Sequence, residues 1–296
     1  MHLVTFMESG RVRIGVLDRE RAEVVDLERV AADLPHDMLG LITMGETALA
    51  ALRGAYESGK ARMPLAEVGL RAPIPRPARN IFCVGKNYRD HLKELGPLGA
   101  APGAADASMP EVPIFFTKAT STVIGPGEPI LAGLDPTQSV DYEGELAVII
   151  GRGGRGIKQS QALDHVYGYT IVNDVTSRRL QTLHHQWFLG KSIDSFCPMG
   201  PTLVTRAALG DPPSVRVQTH VNEELRQDGA VADMIFPVPV LIETLSRTIT
   251  LEPGDIIATG TPAGVGMGYS PPRYLQDGDQ VAVTIEPIGT LSNPVA

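Results

Sequence analysis

The 296 residues, 43% hydrophobic and 20% charged, are those of a soluble globular protein with room for one large domain and a small appendage. A formal net charge of -8, with no Lys/Arg block longer than a pair, lacks the clustered positive charge that nucleic acid demands. No stretch nears the ~18 uninterrupted apolar residues of a membrane span, and the N-terminus lacks the basic start and apolar run of a secretory signal, so a cytoplasmic protein without nucleic-acid or membrane partners is expected.

In chain order, residues 1–72 read as a small N-terminal α+β domain. Strands are predicted at 4–6, 11–16 and 22–25, then helices at 27–34 and 46–58. Alternating prolines at 73, 75 and 77 remove backbone donors and fix φ, which marks the boundary to a domain over 73–296. Beyond it, strands are predicted at 81–84, 114–117, 146–150, 167–172, 215–221, 255–259 and 280–285, with helices at 177–186 and 239–247. The 31 Gly and 24 Pro favour turns and strands, and no βαβ alternation recurs. The expected fold is therefore α+β and mostly β, with peripheral helices. Cys83 and Cys197 have no metal-ligand spacing and read as buried reduced thiols.

Several segments carry chemistry. In 85–95, Asn87 can cap a short helix that sets His91 and Glu94 one turn apart. Such a pair is either a surface contact or a general base whose imidazole is held in one tautomer. Residues 97–110 (PLGAAPGAADASMP) have no core face and read as a mobile loop able to act as a lid. If it is one, His91 should stand away from the site until a ligand closes it.

In SVDYEGELAVII (139–150), Glu143 and Glu145 share one strand face with Cα atoms roughly 6.5–7 Å apart. This is either a solvated strand end or a pair of hard oxygen ligands for Mg²⁺ or Mn²⁺, with Ca²⁺ as a substitute. Asp174 ends another apolar strand, as a helix cap or as a third ligand. Arg178 and Gln181 follow on one helical face. Lys191 lies in an apolar segment where an ammonium needs an anion, unless it points to solvent. Finally, GDIIATGTPAGVGMG (254–268) runs from a strand into a glycine-rich loop. No Lys follows the glycines and Pro271 and Pro272 forbid a helix, which excludes a phosphate-cradling motif. The loop should instead bring backbone donors and Thr261 close to a substrate.

Five ordered blocks, VGKNYRDHLKE, DYEGELAVIIG, YTIVNDVTSRRLQ, WFLGKSIDSFCPMGP and GDIIATGTPAGVG, make the chain from about residue 74 onward resemble the fumarylacetoacetate hydrolase family. The resemblance implies a mixed, barrel-like β-roll, a homodimer and a divalent cation held by Glu143, Glu145 and Asp174. It implies that His91 and Glu94 form a lid-borne dyad, that Lys191 is catalytic, and that Arg178, Gln181 and Thr261 bind a small 2-oxo acid. The activity expected first is hydrolysis of a C–C bond in a 2,4-dioxo acid such as an acylpyruvate. Decarboxylation of an oxaloacetate-like acid, or isomerisation or hydration of an unsaturated 2-oxo dicarboxylate, would use the same groups. A non-catalytic binding protein is the remaining alternative.

Overall fold

The computed structural model describes residues 1–95 and 109–296. The segment 97–110, expected to be a lid, lies almost wholly outside the described residues. The chain opens with an antiparallel meander of β1 (His2–Glu8), β2 (Arg11–Asp18) and β3 (Glu23–Asp26). Ser9 and Gly10, both at positive φ, make the tight β1–β2 turn, where twist-matched hairpins require it. Asp26 caps α1 (Leu27–Val30) by accepting the Glu28 N–H, and that helix is one turn long rather than the predicted 27–34. Asp37 caps α2 (Met38–Met44), which has almost no polar face to give it a helical period and was not predicted. Gly45 at φ 58 separates it from α3 (Glu46–Glu57), whose Ala48, Leu49, Leu52 and Ala55 form a buried stripe. The short strands β4 (Arg62–Pro64) and β5 (Gly69–Arg71) pair with β3 and β1.

After the prolines come β6 (Ile81–Gly85), α4 (Arg89–Leu95), β7 (Ile114–Lys118) and β8 (Val123–Ile124). Next are β9 (Val140–Asp141), β10 (Gly144–Ile150), α5 (Gln159–Ala162), β11 (Val166–Asn173) and β12 (Thr176–Ser177). Then follow α6 (Arg178–Leu183), α7 (Phe188–Lys191), β13 (Cys197–Thr205) and α8 (Arg206–Leu209). The chain closes with β14 (Arg216–Val221), β15 (Glu224–Ala230), α9 (Val238–Ser246), β16 (Ile256–Ala258), β17 (Gln280–Ile285) and β18 (Gly289–Pro294).

The main sheet runs β4-β3-β2-β1-β13-β11-β10-β16-β6-β7, with β5 beside β1 and β8 beside β13. It is mostly antiparallel; β16 with β6 and β13 with β8 are parallel. A second sheet, β15-β14-β17-β18, packs across it. The fold class is as expected, α+β and mostly β, but the main sheet does not close into a barrel. The first strands also extend that sheet directly, because His2 and Leu3 of β1 pair with Val204 and Leu203 of β13.

Strand β13 escaped the sequence because Pro198 and Pro201 argue against a central strand. Its ladder with β11 is irregular between Gly200 and Val204, and Pro201 falls inside that irregular stretch, where no ladder donor is needed. Strand β10 is buried along its whole length. Leu146, Val148 and Ile150 face the second sheet, while Ala147 and Ile149 face a core shared with the N-terminal helices. This alternation places the odd-numbered Glu143 and Glu145 on the face away from the second sheet, and Gly144 against it.

Candidate active site

Glu143 and Glu145 sit at the entry of β10, and the backbone brings Asp174 to them: its N–H donates to the Glu143 carbonyl at 2.8 Å. One carboxylate oxygen from each of the three lies within 4.8 Å of the others, and all three residues are buried. Cations surround them. Lys191 Nζ donates to Glu143 Oε2 at 2.8 Å and to Asp174 Oδ2 at 2.7 Å. Arg178 Nη1 reaches Glu143 Oε1 at 2.5 Å and its Nε reaches Asp141 Oδ2 at 2.8 Å. Lys118, ending β7, donates to Asp174 Oδ1 at 2.7 Å and to the Val175 carbonyl at 3.0 Å.

Glu145 differs. It accepts the Gly260 N–H at 2.8 Å and forms no ion pair among the described residues. Burial, reinforced by the Asp174 and Glu143 charges, pushes its carboxyl well above the ordinary range. Burial acts against the ionised form of Glu143 too, but Lys191 and Arg178 outweigh it and hold that carboxyl below the ordinary range. Lys191 is likewise kept charged against the effect of burial by Asp174 and Glu143. With all groups ionised, Asp141, Glu143, Glu145 and Asp174 against Lys118, Arg178 and Lys191 leave one uncompensated negative charge, which lies at Glu145. Hard carboxylate donors, spare oxygen lone pairs and that charge all suit a divalent cation.

The dyad is docked over this cluster. His91 Nδ1 lies 3.2 Å from Glu94 Oε2, and His91 is only 4% exposed. Protonated, it adds to the pull on Glu143, so it stands within electrostatic reach of the carboxylates. Glu94 Oε1 accepts the Gly264 N–H at 2.9 Å, fastening α4 to the glycine-rich loop. Asn87 does not act as a simple helix cap. Its amide donates to the Thr259 and Phe236 carbonyls and accepts the Phe236 N–H, tying the start of the α4 segment to the end of β16.

The glycine-rich loop supplies backbone donors around the site. Its N–H groups hold protein carboxylates: Gly260 holds Glu145, Gly264 holds Glu94, and Gly266 and Met267 hold Asp141. Thr261 is buried, donating to the Gly144 carbonyl at 3.0 Å and accepting from Gln227 Nε2 at 2.7 Å. Gln181 lies near Arg178, its Oε1 3.5 Å from Nη1. Arg178 Nη2 is buried and has no hydrogen-bond partner among the described residues. An aromatic wall flanks the cluster: Phe116 meets Trp187 edge-on at 5.2 Å, and Lys191 Nζ lies 5.0 Å from the Phe116 ring centre. Trp187 packs on Gly85, where a Cβ would lie 2.4 Å from the indole.

Sequence reasoning missed Lys118, Asp141 and Gln227. Asp141 continues the alternation of Glu143 and Glu145, so the same face argument would have found it. Lys118 ends the apolar run IFFT, where a buried strand seldom carries a charge without a partner. Gln227 lies in the polar stretch ELRQDG and has no local signal.

A sheet-built scaffold holding buried carboxylates, paired cations and an imidazole–carboxylate dyad is the construction of an enzyme. A family model described as fumarylacetoacetate (FAA) hydrolase C-terminal matches residues 80–296, and the chain belongs to the fumarylacetoacetate hydrolase family. It is 47% identical to the oxaloacetate tautomerase YisK of Bacillus subtilis over 95% of this chain and 92% of that protein. Among solved structures it is similar to a fumarylacetoacetate hydrolase from Exiguobacterium antarcticum, with TM-score 0.83, 45% identity and coverage of 100% and 99%. It is also similar to the maleylpyruvate hydrolase of Sphingobium sp. SYK-6 in complex with manganese(II) and pyruvate, with TM-score 0.78, 32% identity and the same coverage.

Proposed function

We propose that the protein interconverts the keto and enol forms of a small 2-oxo dicarboxylic acid of the oxaloacetate type, with Glu143, Glu145 and Asp174 holding Mg²⁺ or Mn²⁺. The observation that carries this reading is the docked His91–Glu94 pair, with His91 buried beside three converging carboxylates, of which Glu145 has no cationic partner among the described residues. The similarity to an oxaloacetate tautomerase supports the same choice. A divalent cation there supplies Lewis acidity toward the 2-oxo acid's oxygens.

The chain's own residues do the rest. Tautomerisation moves a proton between the carbon beside the ketone and the ketone oxygen, and His91, oriented by Glu94 on Nδ1, would take it from one and deliver it to the other through its other ring nitrogen. Arg178 offers a buried, unpartnered Nη2–H to a substrate carboxylate. Lys191 pairs with Glu143 and Asp174 and adds positive charge where an enolate oxygen would develop. Phe116 and Trp187 limit water on that side. Thr261 acts beneath Gly144 rather than as a main substrate contact.

Oxaloacetate enol, supplied with Mn²⁺, should lose its ultraviolet absorbance rapidly in the presence of the enzyme and only slowly once a chelator is added. His91→Ala should slow the catalysed step by roughly 10²–10⁴. An enol untouched under these conditions rules the proposal out. Hydrolysis of an acylpyruvate is the second reading. It is favoured by the same dyad acting on water and by the likeness to a hydrolase with manganese and pyruvate bound; acylpyruvate turnover without effect on oxaloacetate would select it.

A further inference from the structure

We infer that Gln227, on the second sheet, is a positioning residue for the carboxylate cluster, clamping the backbone of Gly144 between Glu143 and Glu145; the inference rests on the metal-site reading above. Gln227 is fully buried in β15. An amide removed from water is costly unless its donors and acceptor are all bonded, and here they are. Oε1 accepts the Gly144 N–H at 3.0 Å, while Nε2 donates to Thr261 Oγ1 at 2.7 Å and to the Pro262 carbonyl at 2.8 Å. Thr261 Oγ1 closes the ring by donating to the Gly144 carbonyl at 3.0 Å. The amide cannot be reversed, since that would set N–H against N–H and oxygen against the Pro262 carbonyl.

Both backbone groups of Gly144 are thereby fixed by side chains from outside its strand. The same glycine is pressed so closely on the second sheet that a Cβ would lie 2.3 Å from Thr219 Oγ1 and 2.9 Å from Val283 Cγ1. On the opposite face, Glu143 and Glu145 repel each other across this flexible residue. A cation site tolerates donor shifts of only about 0.2 Å, so the glycine between two ligands needs an external hold. The hold depends on one group that both donates and accepts. A carboxylate or an apolar side chain of similar length cannot supply it.

The test is calorimetric titration of Mn²⁺ alone into the metal-free, full-length protein. Gln227→Met should weaken Mn²⁺ binding by about 10- to 100-fold, the range for residues that orient ligands from behind, with native circular dichroism. Thr219→Val is the control. Its hydroxyl touches the same glycine, is buried and has no hydrogen-bond partner among the described residues, so affinity should stay unchanged. If Gln227→Met does not fold, Thr261→Val cuts the same ring at its hydroxyl and should weaken binding in the same direction. A folded Gln227→Met or Thr261→Val protein that binds Mn²⁺ like wild type overturns the clamp, as does an equal loss in Thr219→Val. Wild-type protein that binds no Mn²⁺ overturns the metal reading itself, and the clamp's purpose with it.

Discussion

Two buried charges in the same cluster have opposite consequences for stability. Lys118 is fully enclosed and pairs with Asp174, so Lys118→Met would leave a buried carboxylate oxygen and the Val175 carbonyl without their donor. Breaking a buried pair from one side costs about 3–5 kcal/mol, and about 2–4 °C of Tm accompanies each kcal/mol. The variant should therefore melt well below wild type. Glu145 is the reverse case, a buried carboxyl beside two like charges with no cationic partner among the described residues. Glu145→Gln keeps the acceptor for Gly260 and removes the repulsion, so metal-free protein should melt a few degrees higher, by about 2–4 °C per kcal/mol. The same variant should lose the rise in Tm that Mn²⁺ gives wild type. Thermal unfolding with and without chelator measures both, and a lower metal-free Tm for Glu145→Gln would contradict the account. A further residue-scale effect lies far from the site. Burial, then the N-terminal ammonium and Arg19, lower the His2 imidazole to about 4. The unfolded chain, with its histidine near the ordinary ~6.5, takes up that proton first. Stability should fall as pH drops from about 6.5 towards about 4, and His2→Gln should flatten that part of the Tm–pH curve.

Among the elements, the glycine-rich loop joins the dyad to the cluster. A Cβ on Gly268 would lie 2.2 Å from Glu94 Oε1, so Gly268→Ala should displace the Glu94 side chain from its seat on Gly264. Turnover should fall by about 10- to 100-fold, part of the 10²–10⁴ that a positioned base contributes. In a Glu94→Ala background the same substitution should cost little more, because the clash is gone. Additive losses would mean that Gly268 acts elsewhere. The loop also shows where local pattern stops informing. Its glycines were legible as sites of close backbone approach, but nothing local showed that Glu94, Glu145 and Asp141 are brought to them. Likewise β10 and β11 were legible because their apolar runs are uninterrupted. Strand β13 was hidden by Pro198 and Pro201, and β15 by a polar sequence whose buried glutamine is paid for by partners far away in the chain.

At the scale of the whole molecule, the first 72 residues contribute strands to the main sheet and helices to a core shared with Ile81, Ala147 and Met199. Residues 73–296 expressed alone would expose the β13 edge at Leu203 and Val204 and uncover that core. Such a fragment should aggregate more than the full chain, as static light scattering would show. Association of the intact chain is expected to give a homodimer, and Leu183, Phe188 and Leu189 on α6 and α7 are exposed apolar side chains that pairing could cover. A solution mass of one chain, 31.6 kDa, would contradict it. Among the described residues no helix is long and apolar enough to cross a membrane.

Sequence by itself determined the mostly β class, the shared face of Glu143 and Glu145, and the pairing of His91 with Glu94. Each depends on a period of two or on one helical turn, which the chain carries locally. Only the tertiary structure decided that Asp174 meets those glutamates, that Lys118 and Lys191 neutralise it, and that Gln227 braces Gly144. Those partners lie 17 to 83 positions apart, so no local pattern links them. Burial does: a charge or an amide taken out of water must find its complement, and the packing of two sheets settles which one it finds.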